Sequence, residues 1–175
     1  MEKWTIWKGW HFSLSHILER FIPRIGTGPV TYDFKFPKEN WFPYVDKDDL
    51  DISKLAGFSY GCHHKDSIRI GWTPDFHKEG YFILYFYIYN NGVRKMIKFT
   101  GIRALVDYSL TISLLPEINY VTFDMTNNCG FSPVKASEMF VVPKTKIGYF
   151  LWFYFGGNKT APKDMMVWLK RKLAK

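Results

Sequence analysis

Between Gly57 and Trp72 the sequence gathers two imidazoles (His63, His64), a thiol (Cys62), two serine hydroxyls (Ser59, Ser67) and a guanidinium (Arg69). An imidazole beside an arginine that neutralises an anion is a set suited to acid–base chemistry. It suits a hairpin equally well. A turn between Cys62 and Ser67 would leave both imidazoles in solvent, and adjacent residues on a strand point to opposite faces, so His63 and His64 are not expected to share a metal. The turn is the expected arrangement, with His64 and Arg69 near the rim of a sheet face. Cys62 has no third group to orient its neighbour His63, so no thiol nucleophile is expected. Cys62 and Cys129 stand in no zinc-ligand spacing, and only a long-range disulfide between them stays open.

Two further groupings carry chemical interest. Asp46, Asp48, Asp49 and Asp51 supply the carboxylates a calcium ion wants, but no glycine and no closing glutamate stand where a calcium loop needs them. A solvated loop is expected there, and neither metal nor cofactor. From Tyr81 to Tyr89, Phe82, Leu84, Phe86 and Ile88 alternate with Tyr81, Ile83, Tyr85, Tyr87 and Tyr89. On a strand this gives one apolar face and one nearly all-tyrosine face. Tyrosine offers a ring for stacking and a hydroxyl for a polar partner, as a glycan groove or a protein interface requires. The candidate ligand-binding residues are therefore Tyr81, Tyr85, Tyr87, Tyr89, Arg69, Trp72 and His64, with Trp152 as an alternative neighbour to Trp72. Binding groove, loop cover and oligomer contact stay equally open for this face.

Positioning such a face requires sheets, and the composition agrees. The 175 residues suit one domain, 1–175, with a core that needs no disulfide or metal. Aromatic residues make up 19% of the chain, which favours strands over helical bundles. A net charge of +8 favours polyanionic partners without naming one. Lys95, Lys98, Arg103, Lys170, Arg171 and Lys172 are candidates to flank the tyrosine face. No helix-turn-helix, RNP-type or phosphate-loop motif accompanies them, so sequence-specific nucleic-acid binding is not expected. The N-terminus lacks an apolar export region and no apolar run is long enough to span a membrane, so the expectation is cytoplasmic expression, with a virion as an alternative destination.

Period-two patterning recurs along most of the chain. Val30 to Phe36, Ile68 to Trp72, Val106 to Ser113, Tyr120 to Met125, Tyr81 to Tyr89, Arg94 to Phe99, Tyr149 to Phe155 and Asp164 to Leu169 read as strands. Asn91-Gly92 supplies the positive-φ pair of a tight hairpin between the fifth and sixth of these. Short helical turns are expected at Phe12 to Phe21 and within Asp46 to Leu55. Residues 1–29 read as an N-terminal strand or helix extension and 170–175 as a basic tail. About nine or ten strands without crossover helices predict an all-β, two-sheet antiparallel sandwich of jelly-roll type.

Phe155-Gly156-Gly157-Asn158-Lys159-Thr160-Ala161-Pro162, between an aromatic strand and a last strand, resembles the C-terminal Phe-Gly-Gly-Asn/Ser-x-x-x-Pro motif of concanavalin A-like jelly rolls of the polysaccharide-lyase kind. Gly57 to Trp72, with the tyrosine strand and Asn91-Gly92 after it, is similar to the central sheets of those domains. The chain is also similar to small jelly-roll proteins encoded by Bacteroidetes and their phages. The resemblance implies a glycan-binding scaffold over about residues 30 to 172. The lyases place Gln-Ile-His, Arg-x-Glu and Tyr-x-Lys strands around their groove, and related glycanases use Glu-x-Asp-x-x-Glu. None occurs here. The expectation is a non-enzymatic binding or structural module, with no catalytic residue assigned, whose partner is a polysaccharide or another protein subunit, including a second copy or a phage virion. Two readings compete with it: a glycan-degrading lyase or hydrolase whose site has another pattern, and a phage-encoded protein that binds a host or small-molecule target.

Overall fold

The computed structural model describes residues 1–14, 22–42, 52–129, 133–156 and 159–173. Twelve strands run in chain order: β1 (Glu2–Ile6), β2 (Pro23–Ile25), β3 (Val30–Lys35), β4 (Ser53–Tyr60), β5 (Ser67–Pro74), β6 (Tyr81–Asn90), β7 (Val93–Arg103), β8 (Tyr108–Leu115), β9 (Tyr120–Asn127), β10 (Val134–Met139), β11 (Ile147–Leu151) and β12 (Met165–Leu173). Two 3-10 turns, Lys38–Asn40 and Pro116–Ile118, are the helical elements among the described residues. The strands form two antiparallel six-stranded sheets, ordered β1-β12-β3-β8-β9-β10 and β2-β11-β4-β5-β6-β7. Half of the neighbouring strand pairs are consecutive in the chain, and the other half, such as β12 with β3 and β11 with β4, are joined by the long crossings of a jelly roll. The expected two-sheet sandwich is the fold.

Alternation puts one side of each strand between the sheets. Val30, Tyr32 and Phe34 of β3 and Leu110 and Ile112 of β8 meet Ile68, Ile70 and Trp72 of β5 and Phe82, Leu84 and Phe86 of β6, all at most 1% exposed. Phe86 stacks on Phe123 of the opposite sheet with ring centroids 3.4 Å apart. The hairpin between β6 and β7 turns where expected, with Asn91 and Gly92 at φ 51° and 80°. A buried cation closes one end of the sandwich. Arg24 lies 3.8 Å over the Phe58 ring and donates from Nε to Tyr60 Oη (3.1 Å) and from Nη2 to the Gly28 carbonyl (2.8 Å). Its hydrogen bonds and ring contacts are what allow a charge to be 4% exposed.

Several expectations need correction. Trp72 does not face the tyrosines. It is 0% exposed on the opposite side of β5, packed 4.9 Å from Phe36 and 6.2 Å from Phe153. Lys170 to Leu173 are not a tail but the end of β12, paired with Val30 to Asp33 of β3. The N-terminal extension takes the strand form of the two expected, with β1 added to the first sheet through β12 and β2 to the second through β11. Ser53 to Leu55 belong to β4 rather than to a helical turn. The other helical expectation, from Phe12 to Phe21, meets a β-bridge of Phe12 with Tyr154 at its start; its remainder, 15–21, and the aspartates at 46–51 lie outside the described residues. Cys62 and Cys129 are free and exposed.

Gly156, in the motif that resembles a family signature, has a structural task. Its φ is +63°, its N–H donates to Ser53 Oγ (3.0 Å), and a Cβ there would run into the backbone carbonyl oxygen of Lys159. Gly156→Val should cost about 1 to 3 kcal/mol, because both the left-handed backbone and the close approach exclude a branched side chain. Chemical denaturation of the variant checks this, and an unchanged midpoint would show that the turn imposes no constraint.

Candidate functional site

The outer face of the second sheet can be built row by row from the register. One row runs Tyr149, Ser59, Ser67, Tyr89, Arg94; the next runs Leu151, Gly57, Arg69, Tyr87, Met96; a third runs Lys54, Gly71, Tyr85, Lys98. Tyr154 bridges to Lys54 and Phe12 to Tyr154, which extends the third row beyond the strands. Gly57, Ser59, Ser67 and Gly71 keep the floor low, and Arg69 stands among them in the middle of its row. The result is a pocket of about 660 Å³ walled by Phe12, Tyr154, Tyr149, Tyr87 and Tyr89 and by the polar side chains of Lys54, His63, His64, Arg69 and Arg94.

A rim loop holds the imidazoles. Ser59 Oγ donates to the Asp66 carbonyl (3.0 Å), Gly92 N–H donates to the Lys65 carbonyl (2.9 Å), and Asp66 Oδ1 accepts from Asn91 N–H (2.9 Å). These bonds pin residues 61–66 to the tip of the β6–β7 hairpin. Within the loop the two rings converge, 4.3 Å apart and nearly perpendicular. His63 Nδ1 is 3.0 Å from Tyr149 Oη, and His64 stacks on Tyr89 at 5.5 Å. The expected turn is present, but it turns both imidazoles to one pocket. Among the described residues no group of three His, Cys, Asp or Glu side chains is placed to hold a metal.

Positive charge is concentrated here. Arg69 is 9% exposed, lies 5.6 Å from the Tyr87 ring centroid and 5.9 Å from that of Tyr89, and donates from Nη2 to the His63 carbonyl (2.8 Å). Its Nε is buried without a hydrogen-bond partner. Lys54, 8% exposed, lies 4.8 Å from the Tyr87 centroid and 5.8 Å from that of Tyr154, with Nζ 3.3 Å from the Gly156 carbonyl. Arg94 adds a third cation at the rim, where its bond with Tyr87 raises its pKa further. No carboxylate is among the described lining residues. Asp66, a short step away, is occupied by the Asn91 N–H and Asn90. Burial first, then the charge of Arg69, then His64, hold His63 below its usual pKa of 6.5.

Of the residues expected from sequence, His64, Arg69, Tyr87 and Tyr89 come together in this pocket. Tyr85 and Tyr81 share the face but lie outside it. Both are half-buried, Tyr85 in the row beside Lys98 and Tyr81 under the Lys78 ammonium at 3.8 Å. Trp152 lines the pocket and Trp72 does not. The expected basic flank divides: Lys98 and Arg103 share the tyrosine face, opposite Tyr85 and Tyr81 and outside the pocket, whereas Lys95 pairs with Glu138 across the sheet edges (2.7 Å), Lys172 pairs with Asp33, and Arg171 packs 3.8 Å over the Phe150 ring. Lys54, Arg94, Tyr149, Tyr154 and Phe12 were not expected. Arg94 was legible, because a two-residue turn at Asn91-Gly92 sets it directly opposite Tyr89.

No family model and no curated protein matches this sequence. Among solved structures, the chain is similar to a functionally unknown protein from Saccharomyces cerevisiae, with TM-score 0.52 and 9% identity over 99% of this chain and 89% of that one. It is also similar to the catalytic domain of a glycoside hydrolase family 131 protein from Coprinopsis cinerea (TM-score 0.48, 13% identity, 83% of this chain) and to peanut lectin (TM-score 0.49, 9% identity, 88% of this chain and 78% of that one). The chain spans 55% of the length of the hydrolase domain. Likeness at this level of identity concerns the sandwich and not its ligand.

Proposed function

We propose that this chain is a non-enzymatic binding module whose pocket on the second sheet takes an acidic glycan. One observation carries the reading: the buried Arg69, whose Nε has no hydrogen-bond partner, lies beside the Tyr87 and Tyr89 walls of a pocket that Lys54 and Arg94 also line. A neutral sugar offers hydroxyl donors and is best met by carboxylate or amide acceptors, whereas this pocket mainly donates. Carboxylate or sulfate groups on a sugar chain match guanidinium and ammonium donors, and the tyrosine rings supply stacking surface. Hydrolysis of a glycosidic bond requires a pair of carboxyl groups across the cleft, which the described lining does not offer. The competing host-target reading has no comparable feature in its favour.

A binding panel of polygalacturonate, alginate and dextran sulfate against neutral dextran and laminarin tests the proposal. Retention by the acidic polymers alone, weakening as salt rises, is the expected result. Equal retention by neutral polymers would remove it.

A second reading rests on a different contact. His63 beside Tyr149, close to Arg69, is an arrangement that can abstract a proton next to a neutralised uronate carboxylate. Ultraviolet absorbance of an unsaturated product from polygalacturonate or alginate would establish elimination and replace the non-enzymatic reading.

The pocket should also respond to pH. Because His63 titrates below 6.5 in the fold, it is neutral at pH 7. As the pH falls through and below 6.5 the unfolded chain takes up this proton first, so His63 lowers stability on acidification. An anionic ligand favours the protonated ring. Affinity for dextran sulfate should therefore rise from about pH 7.5 to about pH 5.5, and His63→Gln should flatten that rise. Calorimetry in two buffers of different ionisation heat checks it through proton uptake, and an identical pH profile in the variant would exclude His63 as the source.

A further inference from the structure

Beyond the pocket, one row of exposed aromatic rings leads away from it. Trp7, Trp10 and Phe12 are 48%, 41% and 38% exposed, large values for rings of this size. They follow one another at 6.2 and 5.8 Å between centroids, with successive planes turned by 83° and 79°. Phe12 is at once the last ring of the row and a wall of the pocket.

The row is held rigidly. Gly9 N–H donates to the Ala161 carbonyl (2.9 Å), Ala161 N–H to the Trp10 carbonyl (2.9 Å) and Phe155 N–H to the His11 carbonyl (2.7 Å). Trp10 N–H closes a turn on the Trp7 carbonyl (3.0 Å), and His11 stacks on Tyr154 at 5.5 Å. The backbone of residues 9–12 is thus tied to Tyr154, Phe155 and Ala161, and Phe155 is followed by Gly156 at the pocket border. Rings fixed in advance lose little freedom when a ligand lands on them.

We propose that Trp7, Trp10 and Phe12 form a second subsite, over which the sugar rings following the acidic residue in the pocket stack. This rests on the reading of the pocket as an acidic-glycan site and adds a direction to it. The occupant is a continuing sugar chain, because the row is continuous with the pocket at Phe12 and its turned planes suit a chain that twists as it leaves. Charge recognition belongs to the pocket and chain length to the row. Affinity should therefore grow with the length of the fragment, by about three- to tenfold for each ring engaged.

Polygalacturonate and dextran sulfate fragments of two to about eight residues are titrated into the full chain and into the double variant Trp7→Ala/Trp10→Ala. Both side chains are exposed at a turn, and circular dichroism confirms that the variant folds. The expected result is that the shortest fragments bind both proteins equally, while only the unaltered chain gains affinity with length. The same gain in the variant would overturn the second subsite and leave the pocket reading intact. Failure of every fragment to bind the unaltered chain would overturn both. Sedimentation of the two proteins provides the remaining outcome: self-association lost in the variant, without an effect on fragment length, would make the row a contact between copies and overturn the proposal.

Discussion

Replacing Arg69 by Gln should reduce affinity for polygalacturonate or dextran sulfate by about 10- to 100-fold, the value of a charge-assisted hydrogen bond lost from a desolvated site. Arg69 sits in the middle of its row, 9% exposed, with its guanidinium carbon 5.6 Å and 5.9 Å from the ring centroids of Tyr87 and Tyr89. A charge so placed is costly to keep without an anion, and among the described lining residues no carboxylate shares the pocket with it. Glutamine keeps a donor towards the His63 carbonyl and much of the length, so the sheet should survive. Tyr85→Ala serves as the contrast, since Tyr85 lies on the same face outside the pocket. Titration calorimetry of both variants decides the matter. Equal losses from Arg69→Gln and Tyr85→Ala would mean that the whole face binds diffusely, and no loss from Arg69→Gln would remove the arginine from the site.

Trp72→Ala should instead unfold the protein more easily, by about 3 to 5 kcal/mol, and leave ligand affinity per folded molecule unchanged. Trp72 has no exposed surface and touches rings from several segments: Phe36, Phe82, Phe153 and Phe155. Removing the indole opens a large apolar void that these neighbours, each fixed by its own strand or loop, can fill only in part. Urea denaturation and a parallel binding titration separate the two effects. A variant of normal stability but weaker binding would put Trp72 back among the ligand residues.

Trp72 also shows where sequence reading stops. Its alternation with Arg69 and Gly71 fixed which residues share a side of β5, but alternation does not say which side is core. That is decided by the partner strands, and in β6 both sides are aromatic. The sandwich itself was readable because strands with clear period-two patterning and the Asn91-Gly92 turn make local demands on the backbone. Strands whose faces are both covered or both polar were not. β4 is buried along its whole length, and β10 puts Glu138 on its covered side and Met139 on its exposed side, so that no apolar face marks it as a strand.

The pocket was half legible for a related reason. Arg69, Tyr87 and Tyr89 belong to neighbouring strands of one meander, and their hairpin connections carry the register. Lys54, Tyr149, Tyr154 and Phe12 reach the same place from distant parts of the chain, through pairings such as β4 with β11 that no local pattern encodes. His63 and His64 are neighbours in sequence, and the strand rule would separate them. The turn from Gly61 to Asp66 removes that rule and brings both rings to the rim.

The central claim is that an anionic group of a sugar chain occupies the space between Arg69, Lys54 and Arg94. A crystal structure of the protein soaked with a short oligogalacturonate tests it most directly. The account predicts density for a uronate carboxylate within hydrogen-bond reach of the Arg69 guanidinium, with sugar rings against Tyr87 or Tyr89. Fragment density on the outer face of the first sheet or along the β7 edge, with the pocket free of it, would contradict the account.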